Sequence, residues 1–187
     1  YIRTVPKAET NPLALTKDMI GREVFLNIEK DYGRPGEKIL EVKDIWVPSQ
    51  KESSKIRGLS LSVKEGEIVG IAGIDGNGQS ELIEAITGLR RTEKGQVLLN
   101  GRDVTNKSPK EVRQAGLAHI PEDRNVRGLN REMSIEDNLV AVEIDQPRFS
   151  KGLLRNEQAQ AEHAGQLVGQ FDIRPADYKL AVSSLSG

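Results

Sequence analysis

The sequence predicts an α/β fold that carries an antiparallel β subdomain and a helical subdomain, and three observations predict it. Residues 39–45 and 59–63 alternate apolar and polar side chains, the pattern of half-buried strands. Residues 68–72, Ile-Val-Gly-Ile-Ala, are instead continuously apolar, as a strand covered on both faces would be, and they run straight into a glycine-rich loop and a helical pattern. From about Ser134 the apolar spacing becomes helical and stays so.

In chain order, residues 1–35 are polar, and Asn11-Pro12, Gly21 and Gly33-Arg34-Pro35-Gly36 read as turn signals around short apolar runs at 13–15 and 24–28. This stretch is expected to be a linker and the end of a preceding domain. Residues 36–133 would form the core with its antiparallel strands, the second of them closing at the turn Lys64-Glu65-Gly66. A helix follows the loop, with Leu82, Ile83, Ala85 and Ile86 on a broad apolar face, and Gly88 ends it. Asn100-Gly101 between apolar runs predicts a hairpin. Ser108-Pro109-Lys110-Glu111 predicts a capping box with Pro at the first helical position, closed by Gly116, and 117–120 predicts a further buried strand. Residues 134–187 would form the helical subdomain, with Ile135, Leu139 and Val142 on one face of a first helix. A second helix over 156–171 would bury Ala161, Ala164, Val168 and Phe171.

Composition narrows the function. The 187 residues hold 27 Lys plus Arg against 28 Asp plus Glu, so no charge excess favours nucleic acid or anionic lipid as a partner. The chain has no cysteine, which removes disulfides, thiolate metal sites and thiol catalysis. No apolar run approaches the roughly 20 residues of a membrane span. Residues 1–10 lack an apolar h-region and begin without Met, which reads as an internal cut and not a signal peptide.

The loop carries the chemistry. Gly73-Ile74-Asp75-Gly76-Asn77-Gly78-Gln79-Ser80 fits the phosphate-binding pattern G-x-x-x-x-G-K-[ST] at every defined position except Gln79. Gly76 and Gly78 let main-chain N–H groups turn inward around a phosphate, and the helix that opens at Ser80 adds the positive end of its dipole. Ser80 would give its hydroxyl to Mg²⁺. Gln79 keeps an amide donor but has lost the positive charge that would sit near the β- and γ-phosphates, so nucleotide binding is expected and hydrolysis at this loop is not.

Residues 66–73, the run Gly78-Gln79-Ser80-Glu81-Leu82, Pro121-Glu122-Asp123-Arg124 and the closing Leu185-Ser186-Gly187 together resemble an ABC ATPase domain. With Phe149-Ser150-Lys151-Gly152, they are similar to the second nucleotide-binding domain of tandem ATP-binding proteins of sugar and nucleoside importers, cut at the signature motif. Met19-Ile20-Gly21-Arg22-Glu23-Val24 resembles the end of the first domain. The resemblance implies a P-loop NTPase fold, ATP and Mg²⁺ as ligands, and a peripheral place at the cytoplasmic face of the plasma membrane. It implies as partners the first nucleotide-binding domain of the same polypeptide, transmembrane permease subunits and, indirectly, an extracellular solute-binding protein.

It also assigns residues. Gly73, Asp75, Gly76, Asn77, Gly78, Gln79, Ser80 and Glu81 would line the nucleotide site. Trp46 would either pack simply or, as the resemblance implies, stack on adenine. Glu122 stands where the family has a glutamine that senses the γ-phosphate and Mg²⁺, so an acidic side chain departs from the pattern there. Ser186 and Gly187 would contact the ATP held by the opposite domain. The family's catalytic groups follow the signature motif, so none is expected within these residues and the chain alone is expected to be inactive.

His119 and His163 are expected to be structural, and Glu143 and Asp145 solvated. Arg124, Arg127 and Arg131 read either as a solvated charge run or, as the resemblance implies, as flanking the groove that receives a cytoplasmic helix of the permease. A non-hydrolysing regulatory or scaffold module is the competing reading, favoured by Gln79 and Glu122. A soluble P-loop kinase is a third, disfavoured by Gln79 and the signature-like ending.

Overall fold

A computed structural model describes residues 2–21, 33–52, 55–152 and 154–185. The expected apolar run 24–28, part of the junction-like stretch 19–24, and Ser186 and Gly187 lie outside the described residues. The chain divides into two compact units, Tyr1–Gly116 and Leu117–Gly187.

In the first unit, a 3-10 turn at Lys7–Glu9 precedes helix α1, Pro12–Ile20. Asn11-Pro12 is thus no loop signal. The Asn11 side chain accepts from the Ala14 N–H and Pro12 takes the first helical turn, where its missing N–H costs nothing. Gly21, at φ 77°, closes the helix. Asn-Pro serves turns and helix starts equally well, and the apolar residues at 13–15 lie in this helix.

The sheet is antiparallel, in the order β2-β1-β3-β4, built from β1 (Lys38–Val47), β2 (Ile56–Lys64), β3 (Lys94–Leu99) and β4 (Arg102–Asp103). In β1, Val42 is buried on even parity, whereas Ile45 and Val47 are buried on odd parity. A one-residue slip would put the wrong side chains in the core, so something must absorb the change of phase. A bulge does so: the register with both neighbouring strands shifts between Val42 and Trp46, and Asp44 sits at φ 46° with its N–H donated to Ser60 Oγ at 2.9 Å. Asn100 at φ 49° and Gly101 at φ 74° form the two-residue hairpin turn that joins β3 to β4.

Helix α2 (Gln79–Ile86) packs on β1 through Leu82, Ala85 and Ile86, while Ile83 faces solvent. Helix α3 (Pro109–Gln114) has its complete capping box, Ser108 and Glu111 each satisfying the other's N–H.

Two expected strands are absent among the described residues. Residues 68–72 and 117–120 have no regular structure, and Ile68 is 90% and Ile120 92% exposed. A continuous apolar run marks a segment suited to cover on both faces, but it cannot supply the neighbouring backbone that makes it a strand. Neither segment forms a strand. His119 is accordingly exposed and not in a buried strand.

The second unit is held by helix α4 (Ile135–Val140) against helix α5 (Glu157–Gln170), with a small hairpin of β5 (Ser150–Lys151) and β6 (Leu154–Arg155). Ile135, Val168 and Val182 form its core, packed by Leu139, Ile173, Tyr178 and Leu185. Two expected core residues are not there: Val142 lies past the end of α4 and Phe171 caps α5, and both are exposed. Val140 is buried instead of Val142, because the helix stops before the next turn could bring Val142 round. Glu143 is half-buried and pairs with Arg148, and Asp145 is exposed. His163 packs its ring 5.1 Å from that of Phe149.

A polar network anchors α4. The Ser134 hydroxyl accepts from the Asp137 N–H at 3.0 Å and donates to the Asp137 carboxylate at 2.7 Å, while Arg155 donates to Asp137 at 2.6 Å and to the fully buried Gln160. The Ser134 hydroxyl, then the Arg155 guanidinium, hold the Asp137 carboxyl below its ordinary value. A carboxyl depressed in the folded state stabilises fully above its unfolded pKa of about 3.9 and loses that contribution as pH falls through the lower folded value. Ser134→Ala is therefore expected to cost about 1 kcal/mol at neutral pH. It should also shrink the acid-side loss of stability, as urea unfolding at pH 7 and pH 3 would measure.

Candidate functional site

The glycine loop is built by the residues that its sequence demands. Asn77 N–H donates to the Ile74 carbonyl at 3.3 Å, closing a turn around Asp75-Gly76. Gly76 adopts φ 84°, and Gly78 is the N-cap of α2 at φ 101° and ψ 0°, a left-handed conformation that strains any residue with a Cβ. Gly78 offers no side-chain oxygen to the first turn, so the N–H groups that open α2 lack the usual protein cap. Such a helix start suits an external anion.

Above it lies a cavity of about 450 Å³ lined by Ser49, Gln50, Lys51, Asp75, Gly76, Ser80, Glu81 and Arg90. Its size is that of ordinary small-ligand sites, roughly 300–1,000 Å³. Four of the sequence-predicted residues, Asp75, Gly76, Ser80 and Glu81, meet there. The other four lining residues come from elsewhere. Residues 49–51 follow β1, and Arg90 follows α2. No motif marks them, because their approach to the loop is made by the fold. Gly88 at φ 79° turns the chain at the end of α2, just ahead of Arg90.

The segment that follows β1 is tied down at two points. Arg90 donates to the Pro48 carbonyl at 3.1 Å while its guanidinium grips Glu84 at 2.7 Å, and Ser49 Oγ donates to Glu81 at 2.9 Å. Glu81, in the first turn of α2, thereby complements the helix dipole and anchors the strap at once.

Gln79 folds back across the loop. Its side-chain amide donates to the Ile74 carbonyl at 3.3 Å and stands over Gly73, where a Cβ would lie 1.8 Å from Nε2. The amide thus takes the space beside Gly73 without bringing charge. Asn77 is exposed beside the turn.

Trp46 is half-buried on β1 under the Lys94 ammonium, which stands 5.1 Å from the ring centroid, and it is not among the cavity's lining residues. Glu122 is exposed in the second unit, ahead of a π-helical turn at Arg124–Gly128 that Asp123 caps.

The donor set suits a magnesium polyphosphate. Mg²⁺ usually keeps one or two protein oxygens beside substrate phosphates and water, and the Ser80 hydroxyl and Asp75 carboxylate line the same cavity. Among the described residues no cluster of three or more His, Cys, Asp or Glu could hold a metal by protein ligands alone. No helix among them is long and apolar enough to cross a membrane.

The family model described as ABC transporter matches residues 56–187. Nucleoside import ATP-binding protein NupA of Lactococcus lactis subsp. cremoris is 39% identical over 186 residues, covering 100% of this chain and 37% of that protein. Guanosine import ATP-binding protein NupO of Bacillus subtilis is also 39% identical over 186 residues, with 36% of its length covered. The chain therefore spans little more than a third of these curated relatives. Among solved structures, the ADP conformation of an ATP-binding cassette of an ABC transporter is similar at TM-score 0.58 and 27% identity, covering 80% of this chain and 59% of that one.

Proposed function

The chain belongs to the ABC transporter ATP-binding family, and from that premise we propose that it is the second nucleotide-binding domain of a tandem importer protein for a nucleoside or sugar. It would bind ATP with Mg²⁺ at the 73–80 loop, at the cytoplasmic face of the plasma membrane, beside permease subunits and the first nucleotide-binding domain of the same polypeptide. Ser186 and Gly187 would complete the ATP site of that first domain. An extracellular solute-binding protein would deliver the solute to the permease.

The single observation that carries the binding reading is the left-handed Gly78 opening α2 beneath the cavity that Ser80 and Gly76 line. There the loop and helix start would hold the phosphates, and Ser80 would hold the metal. Bound Mg²⁺ would neutralise phosphate charge and orient the β- and γ-oxygens. What the residues do not supply at position 79 is a cation, so we read the site as one that holds nucleotide and turns it over poorly. The Gln79 hydrogen bond to Ile74 favours one second reading, a regulatory module that never hydrolyses.

Calorimetric titration of the 187-residue chain tests the binding claim. It is expected to bind ATP more tightly with Mg²⁺ than without, and Ser80→Ala should abolish most of that difference. Equal ATP affinity with and without Mg²⁺ in the unaltered chain would overturn the assignment of Ser80.

A further inference from the structure

We propose that Lys51 supplies the cationic contact to bound polyphosphate that the loop lacks at Gln79. The inference rests on the reading of 73–80 as a nucleotide site, and it adds a binding residue from a part of the chain that no phosphate motif includes.

The charges lining the cavity are two cations, Lys51 and Arg90, and two carboxylates, Asp75 and Glu81. Arg90 is committed to Glu84 and the Pro48 carbonyl, and Glu81 to Ser49. Lys51 makes no ion pair or hydrogen bond among the described residues. Among the described residues, its ammonium is the cavity's charge without a protein counter-ion. The two anchors, Arg90 to Pro48 and Ser49 to Glu81, hold the strap that carries Lys51 against the start of α2. Without them a solvated lysine between two strands would have no fixed relation to the loop.

A lysine suits this task better than an arginine would. Its ammonium is a compact charge on a flexible four-carbon stem, so it can reach a phosphate from a distance and needs no fixed fork geometry. A polyphosphate that enters above Ser80 would meet the helix start from below and Lys51 from the strap side. The cation would come from the strap, and the Gln79 amide would stay folded on Ile74.

Calorimetry with inorganic tripolyphosphate, MgATP and adenosine, on the 187-residue chain, tests this. Lys51→Gln is expected to weaken tripolyphosphate and MgATP about tenfold, the scale of one charge-assisted contact, and to leave adenosine unchanged. Lys51→Arg should restore most of the loss. Introduced into the Gln79→Lys chain, Lys51→Gln should cost only about twofold, because two cations then serve one phosphate group.

If the unaltered chain binds MgATP and Lys51→Gln binds it equally well, the assignment of Lys51 is overturned while the loop reading stands. An equal tenfold loss with and without Gln79→Lys would also overturn it, since Lys51 would then not be substituting for the missing charge. If neither the unaltered chain nor Gln79→Lys binds tripolyphosphate, the loop reading falls and takes Lys51 with it.

Discussion

Gly95→Ala is expected to destabilise the first unit by about 3 kcal/mol or more, a loss far beyond that of an ordinary glycine replacement. Gly95 lies at φ 88°, in the left-handed region where a Cβ already costs about 1 kcal/mol. The larger part comes from its neighbours. A Cβ built there would lie 2.4 Å from the Asp44 carbonyl oxygen and 2.5 Å from that of Lys43. Those carbonyls belong to the β1 bulge, which carries the change of parity between Val42 and Ile45. Backbone cannot swing aside as the end of a side chain can, so relief requires moving the bulge and with it the buried Ile45 and Val47.

Gly101→Ala is the matched control. Gly101 also has a positive φ, 74°, but a Cβ there meets nothing within 4 Å. It should cost only the backbone term, about 1 kcal/mol. Urea unfolding of the two variants would decide. A Gly95→Ala loss no larger than that of Gly101→Ala would show that the bulge does not press on β3.

Gln79→Lys is expected to raise MgATP affinity tenfold to a hundredfold, the range for one charged contact to phosphate in a partly enclosed site. Gln79 opens α2 and its side chain already reaches across the loop to the Ile74 carbonyl. A lysine there has the length to make the same reach and carries the charge the amide lacks. The site needs no large rearrangement to accept it, since the amide it replaces is a partly exposed side chain whose one hydrogen bond among the described residues, to Ile74, is a 3.3 Å contact. Adenosine affinity should not change, because the substitution acts on phosphate charge alone. A gain shared equally by adenosine, or no gain for MgATP, would show that position 79 does not face the phosphates.

Local chemistry was legible in the sequence wherever one side chain settles a backbone. Asn100-Gly101, the Ser108 cap and the Gly88 helix stop all follow from steric or hydrogen-bonding needs that a few residues decide, whereas α2 opens at Gln79, one residue before the expected Ser80. The strands β1 and β2 were legible from alternation, although the bulge at Asp44 was not, because one extra residue looks like a break in the pattern.

What lay beyond reach was non-local. Residues 68–72 and 117–120 have strand-like composition, yet no adjacent backbone pairs with them among the described residues. Ser49, Gln50, Lys51 and Arg90 join the cavity only because the fold brings the end of β1 beside α2. The phosphate motif was readable; the strap that covers it had no signature.

Main-chain amide shifts, followed by nuclear magnetic resonance while inorganic tripolyphosphate is added, test most directly whether the loop grips phosphate. Saturable shifts concentrated at Gly76, Gly78, Gln79 and Ser80 are expected, with the β3–β4 turn at Asn100-Gly101 unmoved. Unchanged amides at those four positions under saturating tripolyphosphate and Mg²⁺ would contradict the account.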